Sequence, residues 1–242
     1  MNFYKDKIIF TGGSGRFGRV FQSAYFLKNI YYPSKKNMDI CNYKSIKKFI
    51  KKIKPKIIIH AAAISRPMNT HENYPQKSIL TNIIGTCNLT IACIEMGIKL
   101  IYFSSNYVYP LNNKSNKEND PILPINNYAL SKMGGECAAQ MSEDSLVLRI
   151  SMSERPFVHD SAYTNVRTNF LYHEEVVKLI PKIINTKGIL NIGGKNQSIY
   201  KFAKLSKINV KKLKFKQVLK EKYFNNQLIN IEKLKSIINK KN

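Results

Sequence analysis

The chain has 242 residues, 43% of them hydrophobic, and 40 Lys and Arg against 15 Asp and Glu give a formal net charge of +25; that length and apolar share suit one large domain, or a domain with a smaller lobe. Only six of the forty basic residues are arginine, and the lysines are scattered among Ile and Asn, so the charge reads as a solvated surface that could attract a phosphate-bearing substrate, not as a specific nucleic-acid site. No run of eighteen apolar residues predicts a membrane span, and Cys41, Cys87, Cys93 and Cys137 show neither Cys-x-x-Cys nor Cys/His zinc spacing, so free thiols and no metal are expected.

In chain order, KIIFT (7–11) predicts a first strand. The preceding residues carry no apolar signal core, which points to the cytoplasm. RFGRVFQSAYFLK (16–28) is spaced as a helix, NIYYP (29–33) as a second strand, and SIKKFIKKIK (45–54) as an amphipathic helix with Ile46, Phe49, Ile50 and Ile53 on one face. A buried strand, KIIIHAAA (56–63), precedes a long helix over 78–97 that ends at a glycine. A strand at 98–105, a helix at 126–142 and a strand at 145–151 follow. Near-continuous apolar strands alternating with helices imply an α/β fold, a Rossmann-type doubly wound parallel sheet, over residues 1–150. Beyond it, 151–172 has no clean period, 173–184 is helical until Pro181 disturbs it, 188–194 reads as a strand, and 198–206 and 231–239 as helices. Residues 151–242 are expected to form a small, shortened lobe packed on the sheet.

Gly13-x-Gly15-x-x-Gly18 follows the first strand and opens the first helix, the context in which this spacing holds a dinucleotide pyrophosphate. Gly13 is expected to make the tight turn, Gly15 to admit close backbone approach and Gly18 to let helix and strand pack, with free N–H groups of the helix N-terminus facing the anion. An acid that would hold the ribose of NAD(H) belongs about twenty residues on. The sequence there is YYPSKK. Ser34, Lys35 and Lys36 suit a 2′-phosphate, with Arg16 able to help, so NADP(H) is favoured while NAD(H) stays open. The nearest acid, Asp39, falls in MDI, read as a further short strand.

YALSK places Tyr128 and Lys132 at i and i+4 on one helix face. A free phenol titrates near about 10, and a neighbouring ammonium favours the phenolate, so the pair suits proton exchange beside a hydride. Ser105, in FSSNYVYP, lies past the C-terminal end of a strand, where parallel sheets place ligands. His60 has no acid or nucleophile beside it and reads as a buried, hydrogen-bonded imidazole.

Eight ordered segments between residue 7 and about residue 206 carry a resemblance: TGGSGRFG, MDI, KPKIIIHAAA, NIIGTCNL, FSSNYVYP, ENDPILPINNYALSKMGGE, LVLRIS and GILNIGG. The chain resembles the extended short-chain dehydrogenase/reductase superfamily and is most similar to its dTDP-4-dehydrorhamnose reductase group. The resemblance implies that Thr11, Gly12, Gly13, Ser14, Gly15, Arg16, Phe17 and Gly18 bind the pyrophosphate, Asp39 and Ile40 border the adenine, and Ala61, Ala62 and Ala63 pass beneath the cofactor. It makes Ser105 the partner of the substrate oxygen, Tyr128 the general acid or base, Lys132 the holder of the nicotinamide ribose and Asn82 a supporting residue. It further implies a nucleotide-sugar oxidoreductase and a homodimer through the helices at 78–97 and 126–142. The shortened C-terminal lobe departs from the family; Arg155 and Arg167 are candidates for the substrate diphosphate, since a guanidinium fork suits phosphate. A dehydratase is disfavoured because Asn106 and Tyr107, not an acidic pair, follow Ser105. An epimerase on the same Ser/Tyr/Lys set and a non-catalytic regulatory subunit remain open.

Overall fold

Six strands form one parallel sheet: β1 (Ile8–Thr11), β2 (Ile30–Tyr31), β3 (Ile57–His60), β4 (Lys99–Ser105), β5 (Ser145–Ile150) and β6 (Gly188–Ile192), in the spatial order β6-β5-β4-β3-β1-β2. The computed structural model describes residues 1–215 and 226–240. Strand side chains alternate between two buried faces, so the strands read as unbroken apolar runs. Ile8, Phe10, Ile57, Ile59, Ile101, Phe103, Leu146 and Leu148 pack against α1 (Arg16–Ala24) and α5 (His173–Ile183). Ile9, Ile58, Leu100, Tyr102 and Val147 face α2 (Tyr43–Ile53) and α3 (Gly85–Met96), with Ala139 of α4 (Asn127–Gln140) beside them. The expected doubly wound sheet is therefore present, with its sixth strand drawn from beyond residue 150.

The C-terminal part does two jobs. β6, α5 and a last helix, α7 (Glu232–Asn239), complete one side of the sheet domain, whereas α6 (Ile199–Lys204) and short strand pairs cap its end. Residues 216–225 and 241–242 of the expected lobe lie outside the described residues. Pro181 sits inside α5 without ending it. Its ring removes the N–H that Val177 would accept, and the Tyr25 hydroxyl donates to the Val177 carbonyl instead, at 3.4 Å.

Two local readings change. Met38–Ile40 is a turn, not a strand: Asp39 Oδ1 accepts the Cys41 N–H at 3.0 Å, and Asn42 caps α2 by accepting the Ser45 N–H. A side chain that captures nearby backbone competes with sheet pairing. The helix expected over 78–97 is a composite rod, Pro75–Ser78, a π-helical stretch at Ile79–Ile84, then α3. Its 22 residues, at hydropathy 1.4, are long and apolar enough to cross a membrane by length and composition alone. In the fold, Leu89, Ala92 and Cys93 of this rod belong to the core.

A buried ion pair fixes α4 to the sheet. Arg149 donates to Glu136 Oε1 from Nε at 3.0 Å and Nη2 at 2.6 Å, and Ser104 donates to Oε2 at 2.7 Å. Glu136 is 0% and Arg149 3% exposed. Arg149→Met strands a buried carboxylate and is expected to cost about 3–5 kcal/mol in urea unfolding, with much of the loss recovered by adding Glu136→Leu.

Candidate active site

The strand order reverses at β1, whose chain continues to β2 on one side and to β3 on the other. The carboxyl ends of β1 and β3 therefore open a switch-point crevice. The glycine turn fills its floor. The left-handed conformation falls on Gly12 (φ +82°), not on Gly13, and a Cβ there would stand 2.7 Å from the Ala62 nitrogen. At Gly18 a Cβ would collide with the Gly12 carbonyl, so the expected close packing of helix on strand is present. α1 begins at Arg16 with no side-chain cap and no acid in its first turn, leaving its N-terminal partial charge uncompensated. Phe17 contributes only backbone here; its ring is buried against Phe103 and His173.

A directed hydrogen-bond chain runs beneath this floor. The Ala62 N–H donates to Thr11 Oγ1 at 3.3 Å, and Thr11 Oγ1 lies 2.8 Å from His60 Nδ1. His60 Nε2 lies 3.0 Å from Thr86 Oγ1, which donates to the Asn82 carbonyl at 2.7 Å. Since the Thr86 proton is committed to Asn82, His60 must donate from Nε2 and accept from Thr11 at Nδ1. Burial, helped by the Lys132 charge, pushes His60 down to about 3, so it stays neutral. Asn82, in the π-helical stretch, accepts the Ile64 N–H at 2.8 Å and donates to the Ile64 carbonyl and to Ser131 Oγ. It ties the loop after β3 to α4, the supporting place expected for it.

Ser105 and Tyr128 meet through a side-chain hydrogen bond, and Lys132 lies one helical turn on against the Tyr102 ring. Ser105 ends β4, and its Oγ accepts the Tyr107 N–H at 3.2 Å, leaving its own proton to donate. Asn126 caps α4 by accepting the Ala129 N–H, which sets Tyr128 in the first turn and Lys132 one turn on. Tyr128 is half-buried between the rings of His71, at 5.0 Å, and Tyr107, at 5.9 Å. Lys132 is buried, its Nζ 4.3 Å from the centre of the Tyr102 ring. Burial pushes the Tyr128 phenol up to about 12 against the opposing hydrogen bond from Ser105. Burial also brings Lys132 down to about 7, with Glu136 opposing it. The expected lowering of the phenol by Lys132 is absent, because desolvation of both groups dominates.

Other expected residues scatter more widely. Ser34 bonds Asn37, and exposed Lys35 lies 3.9 Å from Asp39. Ile40 is buried against the rod and its carbonyl accepts from Asn88. Arg155 stacks on Tyr172 at 4.4 Å and lines a cleft of about 590 Å³ with Arg16, Arg19 and His173. Arg167 lies apart from that lining, its guanidinium held by Asn196. No metal-ligating cluster occurs among the described residues. His71 was not legible as a site residue. It is 0% exposed, 2.7 Å from Ser78 Oγ through Nδ1, on a short helix, Asn69–Asn73, that docks on α4 through Asn127 and Glu72. No motif marks it.

The family described as RmlD substrate binding domain matches residues 6–173. The chain is 30% identical over 155 residues to methionine adenosyltransferase 2 subunit beta of Xenopus laevis, covering 60% of this chain and 46% of that protein. It is 26% identical over 149 residues to dTDP-4-dehydrorhamnose reductase of Mycolicibacterium smegmatis, covering 60% and 45%. The chain thus spans about half the length of the curated relatives it matches. The solved dTDP-4-dehydrorhamnose reductase of Bacillus anthracis in complex with NADP is similar in fold, with a TM-score of 0.83 at 23% identity over 98% of this chain and 93% of that one.

The depressed Lys132 gives a direct test of the site's electrostatics. The unfolded chain keeps this proton to about pH 10, whereas the folded chain releases it near about 7, so native stability rises with pH between those values. Lys132→Met is expected to be the more stable form at pH 7, with its advantage shrinking by about 2 kcal/mol by pH 9 in paired urea titrations.

Proposed function

The chain belongs to the RmlD substrate binding domain family, and on that premise we propose that it is an NADP(H)-dependent oxidoreductase that reduces the 4-keto group of a nucleoside-diphosphate sugar. The observation that carries the reading is the hydrogen bond between Ser105 and Tyr128, with the charge of Arg16 from the glycine turn felt at Tyr128 and buried Lys132 one helical turn on. The residues fit a dinucleotide: Gly12 and Gly18 let the turn close tightly onto the loop after β3 and onto α1, and the α1 N-terminus carries no competing cap. Thr11 to Gly18 would hold the pyrophosphate, and Ser34 and Lys35, with no acid closer than Asp39, favour a 2′-phosphate over a bare ribose. When bound, the nicotinamide supplies the hydride.

The chain's own part is proton handling. Tyr128, held protonated at neutral pH by burial, is the donor to the ketone oxygen, and the Ser105 hydroxyl, which hydrogen-bonds Tyr128, would turn to polarise the same oxygen. Lys132 holds the ribose and, as an ammonium once an anionic ligand is near, draws the phenol back towards a pKa suited to exchange. Arg155, lining the cleft next to the turn, is the better placed of the two arginine candidates for substrate phosphate.

Two other readings have support. The likeness to methionine adenosyltransferase 2 subunit beta favours a cofactor-binding regulatory subunit. The same Ser/Tyr/Lys set also serves an epimerase. Tight NADPH binding without oxidation across a panel of keto-sugar nucleotides selects the first, and turnover without net cofactor consumption selects the second.

A second copy of the chain is the proposed partner for the rod. Ile84, Ile91 and Ile94 are 39%, 48% and 54% exposed on it, with Leu130 exposed on neighbouring α4 and Met141 just past its end. Such an apolar patch suits a homodimer. Ile91→Glu is expected to convert a dimer to a monomer in sedimentation velocity, and a wild-type monomer would remove this reading. Tyr128→Phe is expected to lower kcat by about 10²–10⁴-fold while leaving NADPH binding within about twofold. Undiminished turnover in that variant would remove the mechanism.

A further inference from the structure

An ion-pair bridge crosses the crevice. Arg16 leaves the glycine turn and donates from Nε to Glu154 Oε1 at 2.7 Å, while its Nη2 donates to Ser65 Oγ at 3.1 Å. Arg66 reaches the same carboxylate oxygen from Nη1 at 3.4 Å. These residues come from three separate segments: Arg16 opens α1 after β1, Ser65 and Arg66 follow β3, and Glu154 follows β5. Because β1 and β3 border the switch point, the bridge spans the opening into which a dinucleotide must pass. The side chains are partly solvated, 41% for Arg16, 38% for Arg66 and 22% for Glu154, so the contact can open.

The chemistry of the bridge is that of anion recognition. Carboxylate and phosphate are the two anions for which a guanidinium fork is built. Arg16 is also the first residue of α1, so an anion held by the N–H groups of that helix adjoins it. In the structure the anion on Arg16 is the chain's own Glu154. We infer that Glu154 competes with the phosphates of the cofactor for Arg16 and Arg66, and so sets how tightly the chain holds its dinucleotide. The inference rests on the cofactor reading above. Glu154 opposes binding twice: it occupies the two cations, and it places a negative charge beside an incoming pyrophosphate.

The test is NADPH and NADH binding, followed by fluorescence at low and physiological ionic strength, for the wild type and Glu154→Gln. The Gln variant keeps size and polarity and loses only the charge. It is expected to bind NADPH about tenfold more tightly, with the gain reduced as salt rises. A gain shared by NADH assigns the competition to the pyrophosphate, and one confined to NADPH assigns it to the 2′-phosphate; either supports the inference. With Arg16→Ala and Arg66→Ala also present, Glu154→Gln is expected to change affinity by no more than about twofold. Equal or weaker NADPH binding by Glu154→Gln overturns the competition while leaving the cofactor reading intact. A full gain without the two arginines also overturns it, since Glu154 would then act by repulsion alone. Failure of both proteins to bind either nucleotide removes the cofactor reading and this inference with it.

Discussion

The backbone of Gly12 lies against that of Ala62 so closely that no Cβ can stand between them. That single approach sets the geometry of the crevice, because it brings the loop after β1 onto the loop after β3 at the point where the sheet reverses. A left-handed residue without a side chain is needed there, and only glycine meets both demands without strain. Gly18, in the first turn of α1, repeats only the second demand, where the helix rests on the Gly12 carbonyl. Large aromatic rings then lock the arrangement from below: Phe10 stacks on Phe21 at 4.3 Å, and Phe17 lies 5.0 Å from Phe103.

The same contact reaches the helix that carries Tyr128 through buried hydrogen bonds. Thr11, His60, Thr86 and Asn82 form one chain with every donor committed, and Asn82 then clasps both the loop after β3 and Ser131 of α4. A neutral histidine is well suited to its centre, since it can accept on one ring nitrogen and donate on the other. A protonated ring would have to donate to both threonines, and Thr11 would then lose its acceptor. Burial keeps that from happening at any ordinary pH. The π-helical stretch at Ile79–Ile84 belongs to this design: an extra residue in a turn re-aims side chains, and here it accompanies the inward Asn82.

What was legible in the sequence was local or periodic. The strand runs, the glycine turn, the amphipathic face of α2 and the Tyr128/Lys132 spacing each depend on a short segment whose pattern is visible by itself. What was not legible depended on distant residues meeting. His71 reaches Tyr128 only because Asn127 holds the short helix from across the fold. Glu154 meets Arg16 across 138 positions of chain, and nothing local distinguishes it from a solvated acid. MDI misled because its pattern fits a strand, whereas the Asp39 side chain takes the backbone that pairing would need. Pro181 misled in the opposite sense, because a tyrosine 156 positions earlier repairs the bond it breaks.

Charge distribution joins these features into one argument. The site without ligand keeps its ionisable groups as neutral as burial can make them: Tyr128 holds its proton, Lys132 is poised to lose one near about 7, and His60 is uncharged. The neighbouring cleft is lined by Arg16, Arg19, Arg155 and Lys207 against Glu154 and Glu174, with Arg16 paired to Glu154. A neutral interior beside a rim with an excess of cations favours an anionic ligand over a neutral one. An anion seated beside Lys132 would restore its ammonium, and a restored ammonium is what a buried phenol needs to exchange its proton readily. On the proposed function, ligand binding would thus assemble the protonation state suited to the reaction, whereas neutral groups are the ones that cost least to bury.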